Sequence, residues 1–128
     1  MKKQFIGTYE IGFERCRLMV SDGYEGSFDM LPGDSRLPEI TIGLANKLWW
    51  RTLTILQHEA FEFAMTRQGC RYDPNQDLGN SHSSYVFMMD HTKFSNVCAI
   101  ATDFISSCQA DLHRAWRTRK KDFPGIES

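Results

Sequence analysis

His58, Glu59 and Glu62 stand in the order His-Glu-x-x-Glu. On an α-helix, side chains four positions apart lie one above the other, about 40° apart in projection. An imidazole nitrogen at His58 and a carboxylate oxygen at Glu62 would then face one point. That donor pair suits zinc, and its oxygen character suits manganese or iron as well. Glu59 projects to one side, where a carboxylate can take a proton from water. A plain solvated face is the competing reading. Lys47, Arg51, His58 and Glu62 share a helix side, and His58 with Glu62 then forms an ordinary i,i+4 pair.

A mononuclear site needs a third protein donor from elsewhere. The sequence offers His82, Asp90, His91 and His113. His113 stands about 100° away from the apolar stripe of its helix, near a basic end, and reads as surface. His82 lies in the loop-like Ser81-His82-Ser83-Ser84. His91 opens a second helix, and antiparallel packing of the helices would bring that end toward Glu62. His91 is therefore preferred as a metal ligand, with His82 and Asp90 left open. Asp90-His91-Thr92 reads equally as a helix cap.

The elements that would position these residues are legible in the hydrophobic pattern. Alternation in Phe5–Phe13 puts Phe5, Tyr9, Ile11 and Phe13 on one strand face. Arg17–Val20, Ser27–Leu31 and Pro38–Leu44 read as further strands, separated by turn signals at Ser21-Asp22-Gly23 and Pro32-Gly33-Asp34. A helix is expected from about Asn46, as N-cap, to Arg67, with Gly69 as its stop. Trp49, Leu53, Leu56, Ala60, Phe63 and Ala64 form its buried stripe, while Trp50 lies off it. Loop sequence follows to Ser84, then a short strand at Tyr85–Met89. A second helix begins near Asp90 to Thr92, with an apolar stripe from Phe94 to Trp116 that demands a packing partner. The fold class is α+β: an antiparallel or mixed strand meander followed by two long packed helices. Residues 1–121 form one domain, and 122–128 read as a short flexible C-terminal tail.

The chain has 128 residues, 41% of them hydrophobic, and a formal charge of −1, enough for one real core and no obligatory nucleic-acid or membrane partner. The basic run Arg114–Lys121 suits a helix C-terminus. No Cys-x-x-Cys pair, export signal or apolar span is visible. Cys16, Cys70, Cys98 and Cys108 read as reduced thiols of a cytoplasmic protein. Nucleotide-binding and serine-nucleophile motifs are absent from the sequence.

From about residue 17 to 67 the chain resembles the small zincin-like domains of bacterial and phage proteins. The likeness is carried by a strand at Ile40-Thr41-Ile42, then a helix reading Leu53-Thr54-Ile55-Leu56-Gln57-His58-Glu59-Ala60. It implies His58 as the first metal ligand, Glu59 as general base, and Glu62 where such families place their second histidine. The implied function is metal-dependent hydrolysis of a peptide or amide bond in a peptide or protein substrate. The rival expectation is a catalytically inert accessory or interaction protein, of phage or mobile-element origin, that retains the fold.

Overall fold

The computed structural model of the chain describes residues 2–30, 37–72 and 86–126. Lys3–Ile11 (β1) and Glu14–Ser21 (β2) form an antiparallel hairpin. Its two-residue loop puts Gly12 at φ +68°, the conformation that such a turn asks of glycine at its first position. Phe13, the second loop residue, is 111% exposed. It therefore leaves the inward face that alternation assigns it, because the chain has already turned. The register also shifts between Phe5 and Gly7. The extra residue reverses the alternation, so Phe5 is largely exposed while Ile6 packs on the core.

Gly26–Asp29 (β3) and Glu39–Gly43 (β4) complete a mixed four-stranded sheet. Its order is β1-β2-β4-β3, with β4 parallel to β2 and antiparallel to β3. The later strand thus inserts beside β2 and leaves β3 on the edge. Pro38 stands just before β4, where its missing N–H breaks no ladder, and its carbonyl accepts from Arg17 N at 2.9 Å. Across the same pair of strands Arg17 bridges Glu39 at 2.7 Å.

Trp49–Arg67 (α1) follows. The expected cap at Asn46 is not made: α1 begins after Leu48 with no side-chain cap. Asn46 instead donates from Nδ2 to Tyr24 O and accepts from Trp116 Nε1, both at 3.0 Å. The stop at Gly69 is as expected. With Gly69 at φ +71°, Cys70 N bonds Met65 O and Gly69 N bonds Thr66 O, a Schellman arrangement that satisfies two terminal carbonyls. Arg71–Tyr72 (β5) pairs with Val86–Phe87 (β6); the turn clusters and His82 expected between them lie outside the described residues. His91–Arg117 (α2) is capped by Asp90, whose carboxylate accepts from Lys93 N at 2.9 Å. A short turn of helix, Arg119–Asp122 (α3), ends the described structure.

Both long helices pack on the sheet and on each other, α2 over β1 and α1 over β4 and β3. They run antiparallel, since Trp49 at the start of α1 lies 5.7 Å from Trp116 at the end of α2. Leu56, Ala60, Phe63 and Ala64 of α1 meet Val97, Ala101, Phe104, Cys108 and Leu112 of α2 in one core with Leu18, Val20, Ile40 and Ile42. Tyr9 carries β1 to α2: its ring stands edge-on to Phe104, and its hydroxyl donates to Asp111 at 2.6 Å. That bond holds the Asp111 carboxyl below its usual range, helped by Arg114. Of the stretch expected to be a flexible tail, Phe123 and Ile126 are buried in the core. His113, expected on the surface, is half-buried, with its ring 4.6 Å from that of Trp49 and 5.9 Å from that of Trp116. No described helix is long and apolar enough to cross a membrane.

Thr52 is fully buried on α1, and its hydroxyl has no partner among the described residues. An unpaired buried hydroxyl costs free energy that a methyl group of similar size does not. Thr52→Val should therefore raise unfolding stability by about 1 kcal/mol. Leu56→Ala, one turn along the same face, should lower it by about 2–5 kcal/mol. Urea denaturation of the two variants reads both signs; a destabilised Thr52→Val would show that the hydroxyl is satisfied.

Candidate functional site

The polar side of α1 faces the edge strand. Between them lies a cleft of about 550 Å³, walled by Tyr24–Phe28 on one side and by Thr54, Ile55, His58, Glu59 and Glu62 on the other. Strand and helix run side by side in the same sense. Tyr24 and Gly26 stand near the helix start and middle, and the Phe28 ring meets Phe63 edge-on at 6.0 Å.

This approach depends on Gly26. A Cβ there would come within 2.6 Å of Ile55 Cγ2 and 2.8 Å of Glu59 Cγ, closer than any side chain tolerates. The loop leading into β3 is pinned as well. Gly43 N donates to Glu25 O at 2.9 Å, Ala45 N to Gly23 O at 3.0 Å, and Asn46 to Tyr24 O. Gly43 itself must lack a side chain, since a Cβ would collide with the carbonyl of Gly23.

Within the cleft, His58 Nε2 lies 2.9 Å from Glu62 Oε2. The imidazole is 67% exposed and the carboxylate 16%. The i,i+4 spacing thus does bring these two sequence-predicted donors to one point. Glu59 reaches the same wall from the sheet side and is only 6% exposed. Its pKa is pushed up to about 7, chiefly by burial; His58 opposes the shift and the Glu62 carboxylate adds to it. The degree of burial at Glu59 was hidden in the sequence. Its neighbours Leu48 and Ile55 hint at an apolar side, but the contact that closes over it comes from Gly26 on a strand thirty-odd positions earlier.

His91 is exposed at the first turn of α2. Among the described residues no group of three or more His, Cys, Asp or Glu side chains meets as a metal site, so His91 is not gathered to the His58–Glu62 pair. Asp90 is engaged as the cap of α2, and His82 lies outside the described residues. The four cysteines are free. Burial pushes Cys16 and Cys108 up to about 12, which keeps both thiols protonated in the core.

No family model, curated protein or solved structure matches the chain. The geometry of the cleft therefore stands as the basis for a functional reading.

Two outcomes follow from the cleft itself. Gly26→Ala should destabilise the fold by about 1–3 kcal/mol, because strand and helix must separate to admit the methyl group. In metal-free protein, the raised pKa of Glu59 means that the folded state holds its proton more tightly than the unfolded state. The stabilisation is complete below about pH 4.5 and is lost as pH rises through about 7. The melting temperature of Glu59→Gln should thus gain on that of the parent between pH 5 and 8. Parallel melting curves across that range would show that Glu59 ionises normally.

Proposed function

We propose that the chain is a zincin-like metal-dependent hydrolase of peptide or amide bonds. The observation that carries this reading is the cleft, in which an imidazole, a paired carboxylate and a second, buried carboxylate share one wall opposite an edge strand. The donor chemistry of His58 and Glu62 fits a divalent ion: an exposed nitrogen and a largely shielded oxygen, 2.9 Å apart. A third ligand must come from elsewhere: His91, which the structure does not gather to this pair, is proposed to move onto a bound ion, with His82 as its alternative. When bound, a zinc ion supplies Lewis acidity toward the scissile carbonyl.

The remaining work falls to the chain's own residues. β3, the edge strand of the sheet among the described residues, can bind an extended backbone through main-chain hydrogen bonds at Gly26–Phe28. Ile55 and Phe28 give the cleft apolar walls that limit water. Glu59 takes a proton from the attacking water as its oxygen bonds to the carbonyl carbon, and returns it to the amine as the C–N bond breaks. Burial favours its protonated form in the metal-free chain, which would help it hold the proton between the two transfers. The four free thiols fit a reducing compartment, and we place the protein in the cytoplasm.

The close His58–Glu62 contact also supports a second reading, in which the two side chains only satisfy each other. The protein would then be an inert accessory module, of phage or mobile-element origin.

Zinc titration and peptide hydrolysis separate the two. The hydrolase reading expects one zinc per chain, lost in His58→Ala and in His91→Ala. It expects Glu59→Gln to keep the metal and lose at least about a hundredfold in turnover. Zinc binding unaffected by His58→Ala would remove the site, and a fully active Glu59→Gln would remove its base. Loss of zinc in His82→Ala but not in His91→Ala would reassign the third ligand.

A further inference from the structure

The polar side of α1 continues past the cleft toward the helix start, where it borders a second cleft. This one, about 600 Å³, is lined by Tyr24, Ala45, Asn46, Lys47, Leu48 and Arg51. Tyr24 lines both clefts and so stands at their junction. The two differ in charge. The first holds Glu25, Glu59 and Glu62, whereas the second holds Lys47 and Arg51 and no acid. Both cations are exposed, and neither has a carboxylate partner among the described residues. Arg51 lies over the Trp50 ring at 5.0 Å, a contact that orients the guanidinium without neutralising it. The first turn of α1 has no acidic residue and no side-chain cap, so the helix field adds to the same sign.

The floor of this cleft is rigid. Asn46 is fixed at both ends, to Tyr24 and to Trp116, and Ala45 N is bonded to Gly23 O. Two uncompensated cations on a fixed frame, beside a substrate cleft, are suited to an anion that arrives with the substrate.

We propose that this second cleft is a specificity subsite for a carboxylate carried by the substrate, an inference that takes the peptide-hydrolase reading of the first cleft as its frame. The helix supplies the spacing. Arg51 and His58 are seven positions apart on α1, about 10 Å along the axis. An extended chain rises about 3.3 Å per residue, so an acidic group about three residues from the scissile bond would reach Arg51 while the bond lies at His58 and Glu59. The same carboxylate chemistry is offered by an Asp or Glu side chain and by a chain terminus.

The test is binding, so it does not depend on turnover. The full chain carrying Glu59→Gln is titrated with dye-labelled extended octapeptides in which Glu, Gln or Lys scans each position. Each is made with a free and with an amidated C-terminus, and anisotropy is read up to 1 mM peptide. The proposal expects the best Glu peptide, or the best free-acid peptide, to bind about fivefold or more tighter than its uncharged counterpart. It expects Lys to weaken binding, and the preference to shrink in 0.5 M salt. Adding Lys47→Ala and Arg51→Ala, both at exposed positions, should abolish the preference while leaving the affinity for the Gln peptide within twofold. The scan shows whether a side chain or the terminus supplies the charge. Equal binding of charged and uncharged peptides, a preference that survives the double substitution, or no binding to any peptide would overturn the subsite. Failure of zinc binding or hydrolysis alone would overturn the hydrolase reading and leave a measured carboxylate preference standing.

Discussion

A strand can cross a helix face within van der Waals contact of its side chains only where the strand carries none of its own. β3 meets that condition at Gly26, whose missing Cβ leaves room for Ile55 and Glu59. The arrangement around it follows from this close approach. The insertion of β4 between β2 and β3 leaves β3 on the edge. The backbone bonds from Gly43 and Ala45 hold the loop before it. The core stripe of Leu56, Ala60 and Phe63 turns the polar side of α1 toward that edge. Remove the contact, and the cleft loses one of its walls.

Placing a carboxylate at such a contact has an energetic consequence. Glu59 is shielded from solvent and has no hydrogen-bond partner among the described residues, and burial disfavours its ionised form. Nothing in the packing of the core requires an acid at this position, since Ala60 and Phe63 already fill the neighbouring space. Groups with displaced proton affinity, set in a cleft beside other donors, are a common signature of sites that move protons. The exposed His58 and half-shielded Glu62 complete a gradient of burial across one helical turn. Farther along the helix the sign of charge reverses at Lys47 and Arg51.

Much of the scaffold was legible in the sequence because it is written in local patterns. The stripes of α1 and α2, the glycine stop at Gly69 and the cap at Asp90 are all set by neighbours within a turn or two. The failures share a cause. Asn46 has the type and position of a cap, but its side-chain amide donates to Tyr24 O and its backbone carbonyl accepts from Trp116, both far away in sequence. Phe13 fits the alternation of β1 until the turn at Gly12 removes it. The bulge after Phe5 leaves Phe5 on the face opposite to Tyr9 and Ile11, which keep the core side. His113 reads as surface by angle, yet is half-buried, because its ring packs against Trp49 of the other helix as well as Trp116 of its own. In the site, the pairing of His58 with Glu62 follows from helical geometry alone, whereas the enclosure of Glu59 depends on strand order. Strand order is a tertiary property, and no local spacing encodes it.

The hydrolase proposal turns on a metal ion held in the first cleft by His58 and Glu62. Anomalous diffraction at the zinc edge from crystals equilibrated with zinc tests it most directly. A metal site there gives one strong peak in the cleft, about 2.0–2.2 Å from a nitrogen of His58 and from an oxygen of Glu62, with Glu59 near but not bonded. A cleft without density at saturating zinc, or zinc held by other residues while the His58–Glu62 contact persists, would contradict it.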